Sequence, residues 1–210
     1  MKIALTGGIA CGKSLFAKFL RELGIQVLDA DDVVHELEAP GGAAVPAIVA
    51  RFGDGVRAAD GGIDRNALAT RVFNDASARA DLESILFPLV RTALAQRASC
   101  PSHGDNGHLA RCTIHIIPLL FESHWEADYD ILLCIASPVD QQIDRMMTSR
   151  GYSRAHAEAR LAAQWPVAEK SARCHYTVMN DSTPEHLRDE AQKLVSWLKE
   201  KVEHERRREK

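Results

Sequence analysis

The run Gly7-Gly8-Ile9-Ala10-Cys11-Gly12-Lys13-Ser14 fits the pattern G-x-x-x-x-G-K-[ST]. Its surroundings narrow the fold further. Lys2-Ile3-Ala4-Leu5-Thr6 is a short apolar run, as expected of a buried strand. From Lys13 onward, Leu15, Phe16, Phe19, Leu20 and Leu23 recur at helical spacing. The order is therefore strand, glycine turn, helix. Glycines let successive backbone N–H groups converge without a Cβ in the way, which forms a nest for anionic oxygens. The positive end of the following helix favours phosphate further. In such a loop Gly8, Ile9, Ala10, Cys11, Gly12, Lys13, Ser14 and Leu15 surround the phosphates of a nucleotide. Lys13 reaches the β- and γ-phosphates, and Ser14 holds Mg²⁺.

A chain of 210 residues forms one domain, or one domain with a small insertion. The formal charge of -3 gives no general pull towards nucleic acid. No apolar run approaches the length of a membrane span. The five cysteines are an odd number without C-x-x-C pairing, and no signal peptide precedes the first strand. These features predict a reduced, cytoplasmic protein without a membrane or nucleic-acid partner, a monomer or small homo-oligomer.

Further strands are predicted at Ile25–Leu28, Thr113–Ile117, Tyr129–Ala136 and Tyr176–Asn180, the fourth so continuously apolar that both its faces are buried. Gly24 suits the end of the first helix. Asp29, Asp31 and Asp32 stand at the carboxyl end of the second strand, the edge at which open parallel sheets bind ligands. They either cap the next helix or serve the phosphate site. Residues 43–98 carry helical periodicity, and Pro88 is expected to kink or restart the last of these stripes. The polar stretch Ser99–Arg111 is expected to be a loop, and its Cys100, His103 and His108 lack the paired spacing of a zinc site. Helices are expected over Gln141–Arg150 and from Ser153, and a final one carries Leu187, Ala191, Leu194, Val195, Leu198 and Val202. Arg206-Arg207-Arg208 is expected to be a solvated charge run. Strands alternating with helices predict an α/β fold with a five-stranded parallel sheet and helices on both faces.

The loop by itself leaves a GTPase, an ATPase motor and a small-molecule kinase open. There is no N-K-x-D run to read guanine and no D-x-x-G switch, and the chain is short for a motor core. A short sheet, a helical insertion after the second strand and a late arginine-bearing segment suit a kinase of small metabolites, whose lid keeps water from competing with the acceptor hydroxyl.

Residues 2–198 resemble the dephospho-coenzyme A kinase family. The likeness rests on Leu5-Thr6-Gly7-Gly8-Ile9, Asp29-Ala30-Asp31, Asp64-Arg65 with Leu68 and Val72-Phe73, Ile85-Leu86 through Pro88-Leu89-Val90-Arg91, and Pro118-Leu119-Leu120-Phe121-Glu122. Arg145, Arg160, Gln164, Lys170 and Asn180 fall at the family's late polar positions. The resemblance implies a P-loop kinase fold with a core at 1–38, 112–137 and 175–202, a helical insertion at 39–98 for the coenzyme A moiety and a lid at 141–173. It implies ATP-dependent phosphorylation of the ribose 3′-hydroxyl of dephospho-CoA. Lys13, Asp31 and Arg145 would be catalytic. Thr6, Asp31, Arg65, Pro118, Leu119, Leu120 and Gln164 would face the acceptor.

The chain departs from the family at several positions. Ala10-Cys11 replaces a usual Gly-Ser, Phe87 a His, His35 an Arg, and Ile116 a residue that is often acidic. Backbone amides cradle phosphate whatever the loop side chains, so Ala10 is tolerable if its φ stays negative. Without an acid at 116, Mg²⁺ would rest on Ser14, phosphate and water. Cys11, at a helix start beside a lysine, is expected to have a lowered pKa. The departures keep two alternatives open: a related nucleoside or nucleotide kinase, and a nucleotide-binding homologue with weakened catalysis.

Overall fold

The apolar runs become strands. β1 (Lys2–Gly7) leads through the glycine loop into α1 (Lys13–Glu22) and β2 (Gln26–Asp29). Four helices follow: α2 (Ala30–Glu38), α3 (Val45–Phe52), α4 (Arg65–Phe73) and α5 (Ala76–Ala98). Then come β3 (Thr113–Ile116), β4 (Ile131–Ala136), α6 (Val139–Arg150), α7 (Arg154–Ala162), α8 (Val167–Ala172), β5 (Tyr176–Met179) and α9 (Pro184–Arg208). The computed structural model describes residues 1–73, 75–99 and 112–208, with side chains as far as residue 204. The expected loop beyond Ser99, with Cys100, His103 and His108, and the side chains of Arg206–Arg208 lie outside the described residues.

Two compact units result, Asp29–Cys100 forming one and Met1–Leu28 with Pro101–Lys210 the other, each over its described residues. The larger unit holds the five-stranded sheet, in the order β2-β3-β1-β4-β5. All strands are parallel, with Ala4 of β1 opposite His115 of β3 on one side and Leu132 of β4 on the other. β2, the next strand in sequence, lies beyond β3, so the winding reverses at β1. Ligands bind at the carboxyl ends of strands at such a reversal, and there the glycine loop leaves the sheet. Phe16 and Leu20 of α1 and Leu187, Leu194 and Leu198 of α9 pack with Ile3, Leu5, Ile114, Leu133 and Ile135 in one apolar core. Burying a side chain such as Phe16 contributes about 1.5–3 kcal/mol, which seats α1 and so its amino end.

The smaller unit has its own core, built from Val45, Ile48, Phe52, Val56, Ile63, Leu68 and Leu86. It begins at Asp29 rather than at residue 39, because Val34 and Leu37 of α2 pack on this core. Pro88 neither ends nor restarts α5, which runs unbroken from Ala76 to Ala98. A proline removes one donor from the ladder, and the buried Leu86, Val90 and Leu94 hold the turns on either side of it. The helix α8 has no counterpart in the sequence reading. At six residues it is too short for a periodic stripe.

His115 is a buried polar residue in the apolar strand β3. Its Nδ1 lies 2.9 Å from the Tyr129 hydroxyl, and its Nε2 has no partner among the described residues. Burial, helped by the charge of Lys2, lowers its pKa to about 4. The unfolded chain, with an ordinary value near 6.5, therefore takes up the proton first. The stability this histidine supports is complete above about pH 6.5 and is lost as pH falls towards 4, at up to about 1.4 kcal/mol per pH unit. Urea midpoints measured from pH 7.5 to 4.5 should fall for the wild type and fall less for His115→Val. Parallel curves would remove His115 as the cause.

Candidate active site

The loop is shaped by what its backbone approaches. Gly7 has φ 147°, and a Cβ there would stand 2.2 Å from the carbonyl oxygen of Ile135 on β4. Gly12, the residue before α1, has φ 89°, and its Cβ would meet Asn180 Nδ2 at 2.3 Å. A side chain at Gly7 would displace the backbone of β4, and one at Gly12 would displace the Asn180 side chain from the loop. Two loop carbonyls are tied back by side chains: Asn180 Nδ2 donates to Cys11 O at 2.9 Å, and Arg145 Nη1 to Ala10 O at 3.3 Å. Within the loop the Cys11 N–H donates to Gly8 O at 3.4 Å, and together these ties set the path of its backbone. Lys13 Nζ donates to Gly7 O at 3.0 Å and Gly8 O at 2.8 Å, which arches its charge over the upstream half of the loop. Ser14 is exposed on the first turn of α1, and its hydroxyl makes no hydrogen bond to the described residues. Leu15 beside it is also exposed.

In the loop one condition is not met and one expectation is corrected. Ala10 has φ 57°, in the left-handed region, not a negative φ. The loop path that suits a usual glycine is imposed on it, and Arg145 holds its carbonyl there. Cys11 is fully buried in the main core, and burial raises its thiol pKa despite the nearby Lys13. A buried thiol above its ordinary pKa is inert, so only the backbone of Cys11 serves the phosphate loop.

Arg145 is not a loose charge on a helix surface. From α6 it donates to Ser137 Oγ (2.9 Å), Gln141 Oε1 (3.1 Å) and Asn180 O (2.9 Å) as well as to Ala10 O. Ser137 Oγ itself donates to Asn180 O at 2.7 Å. Ser137 follows β4 and Asn180 follows β5, so the carboxyl ends of two strands anchor one guanidinium. Beside it lies a cavity of about 350 Å³ lined by residues 10–14, Arg145 and residues 148–150. A second cavity, of about 230 Å³ and mostly apolar, opens on Gly8 and Ile9. Sequence reasoning missed Ser137; its one visible signal is its place as the first polar residue after a continuous apolar strand.

The acceptor candidates of this unit divide. Gln164 lines the apolar cavity, and Leu119 is 44% exposed. Thr6 and Leu120 are fully buried. Thr6 Oγ1 donates to Pro118 O at 3.2 Å, and the same carbonyl accepts from Lys170 Nζ at 2.9 Å. Lys170, completely buried on α8, also pairs with Glu122 at 2.7 Å, whose Oε1 accepts the backbone N–H of Trp165 at 2.9 Å. This pair anchors the α7–α8 connection to the segment after β3. Ile116 is core, buried with its strand.

In the smaller unit, Asp29 caps α2 by accepting the N–H of Asp31 at 3.0 Å. The cap is thus made by Asp29, and the exposed carboxylate of Asp31 is uncommitted among the described residues. Arg65 lies 3.2 Å from Glu38, whose carboxyl is pushed up by burial and only partly brought back by that arginine. Arg65 is therefore ion-paired within its own unit. His35 is exposed and Phe87 half-buried. Among the described residues no three acids, histidines or cysteines converge as a metal site, and no helix is long and apolar enough to cross a membrane.

Comparison with known proteins agrees with this geometry. The profile of the family described as dephospho-CoA kinase matches residues 1–186. The dephospho-CoA kinase of Anaeromyxobacter dehalogenans is 43% identical over 197 residues, covering 94% of this chain and 92% of that one. A crystal structure from Thermus thermophilus superposes with a TM-score of 0.80 at 31% identity, covering 94% of this chain and 97% of its own. A dephospho-CoA kinase structure from Campylobacter jejuni gives 0.68 at 26% identity, covering 94% and 98%.

Proposed function

Because the chain belongs to the dephospho-CoA kinase family, we propose that it transfers the γ-phosphoryl group of ATP to the ribose 3′-hydroxyl of dephospho-CoA, giving CoA and ADP. The observation that carries the reading is the braced phosphate loop, with Lys13 arched over Gly7 and Gly8 and the Ala10 and Cys11 carbonyls tied to Arg145 and Asn180. Such a transfer is catalysed by positioning and by charge stabilisation more than by covalent chemistry.

The loop N–H groups and the amino end of α1 hold the phosphates. Lys13 takes up charge on the β- and γ-oxygens. The exposed hydroxyl of Ser14 is a hard oxygen donor that suits Mg²⁺; the ion, when bound, neutralises the same phosphate oxygens. Arg145 adds positive charge beside the donor cavity. Asp31 accepts a hydrogen bond from the 3′-hydroxyl and aims it in line. Its role is to orient the nucleophile, and the proton leaves late in a loose transition state. Residues 141–173 act as the lid, and the enzyme works in the cytoplasm as a monomer or small homo-oligomer.

ADP release with Mg-ATP, measured with and without dephospho-CoA and with Lys13→Ala as the blank, tests the reaction. Release that requires dephospho-CoA and vanishes in the blank supports it. ATP binding without such release, in a protein that phosphorylates another nucleoside, overturns it. Asp31→Asn should lower kcat by about a hundredfold or more with little change in the KM for ATP. Equal losses in both would exclude the orienting role.

A further inference from the structure

We propose that the apolar cavity of about 230 Å³ beside Gly8 and Ile9 takes the adenine ring of the acceptor and recognises its exocyclic amino group through the amide oxygens of Gln142 and Gln164. The inference rests on the reaction proposed above and names the part of the acceptor that this cavity binds.

Its walls are Ile9, Val139, Leu161, Trp165, Pro166 and Val167, with the two glutamines as its amide groups. Gln142 is 1% exposed. Its Nε2 donates to Ser137 O at 2.9 Å, which fixes the amide's orientation and turns Oε1 the other way. That oxygen is buried with no hydrogen-bond partner among the described residues, and so is Gln164 Oε1. Buried acceptors without donors are uncommon in folded chains and need an explanation. Two acceptors set in an apolar wall match a flat ring carrying an N–H₂ group, because the amine has one proton for each. An apolar pocket with a few converging polar groups is also the usual form of a small-molecule site. Both oxygens are covered by protein, so the ring reaches them as the α7–α8 connection lifts.

The position at one end of the phosphate loop indicates which adenine. Lys13 Nζ lies on the carbonyls of Gly7 and Gly8. Because this lysine serves the β- and γ-phosphates, the γ end of the nucleotide lies over the upstream half of the loop. The larger cavity at residues 10–14, with Arg145 and residues 148–150, then belongs to the rest of ATP. In-line transfer brings the acceptor oxygen from the far side of the γ-phosphorus, towards Gly8 and Ile9. In dephospho-CoA the adenine is joined directly to the ribose that bears the reacting 3′-hydroxyl, so it must lie within a few bonds of that point. The pantetheine arm leaves through the pyrophosphate at the 5′ position and can extend elsewhere.

Two variants test this. Val139→Trp fills the cavity from its rim, where Val139 is 55% exposed and carries little of the core. Gln164→Leu removes one amide without breaking any side-chain hydrogen bond in the described residues. Calorimetric Kd values are measured for dephospho-CoA and for its counterpart with hypoxanthine in place of adenine, which lacks the amino donor, together with KM for ATP and dephospho-CoA. Val139→Trp should weaken dephospho-CoA by about tenfold or more, with the KM for ATP within about twofold. The wild type should prefer the adenine acceptor over the hypoxanthine one by about tenfold to a hundredfold, and Gln164→Leu should bring that ratio close to one. A loss that falls on ATP instead assigns the cavity to the donor's adenine and overturns the proposal. Unchanged Kd values in both variants overturn it too, while the reaction itself stands if the wild type still releases ADP with dephospho-CoA. Absence of that release counts against the reaction, and the calorimetric base preference still decides the cavity.

Discussion

Arg145→Met should lower kcat/KM for phosphoryl transfer by about 10³-fold, the lower end of what an arginine at a transferring phosphate supplies. Two losses combine in this variant. The first is charge beside the cavity at residues 10–14. The second is the brace, because the same guanidinium holds Ala10 O, Ser137 Oγ, Gln141 Oε1 and Asn180 O. Arg145→Lys separates them. An ammonium keeps the charge but cannot reach four acceptors lying in different directions from one planar fork, so the lysine variant should recover only part of the activity.

Ala10→Gly isolates the brace. A left-handed φ costs an alanine roughly 1–2 kcal/mol that glycine does not bear. In the wild-type background Ala10→Gly should therefore raise stability by about 1 kcal/mol, measured by urea unfolding. Combined with Arg145→Met it should restore much of the KM for ATP and little of kcat. Full restoration of both would reduce Arg145 to a positioning residue, and an unimpaired Arg145→Met would remove it from the mechanism.

Lys170→Met should be the most damaging single change to stability, at about 3–5 kcal/mol, or roughly 10 °C in Tm for a chain of this size. The reason is what remains behind. Among the described residues Glu122, mostly covered, loses its only cation within 4 Å, and Pro118 O keeps only the hydroxyl of Thr6. Removing one partner of a buried pair leaves an uncompensated charge, whereas removing both can be close to neutral. The double variant Lys170→Met/Glu122→Gln should therefore recover more than half of the loss. If the double variant is as unstable as the sum of the two singles, the coupling is absent and packing of the lysine stem accounts for the effect.

The buried pair also explains why this part of the site was illegible beforehand. Lys170 and Glu122 are 48 positions apart, and each taken alone is an ordinary charged residue on a helix or after a strand. Resemblance to the family marked Lys170, Asn180 and Arg145 as notable, but not what they touch. Thr6 and Leu120 stand within matching motifs and are fully buried, because motifs record the residues that build a loop together with those that use it.

Local pattern alone determined the strand, glycine turn and helix around Lys13 and Ser14, the apolar runs of all five strands and the stripe of α9, since each depends on residues within a few positions of one another. Strand ends shifted by a residue or two, because the last hydrogen bond of a ladder depends on its neighbour. The tertiary structure alone decided the left-handed turn at Ala10, the inertness of Cys11, the unbroken helix through Pro88 and the fourfold anchoring of Arg145. Each of these is an energy of contact between segments far apart in sequence, 135 positions in the case of Arg145 and Ala10, and a preference read along the chain contains no term for it.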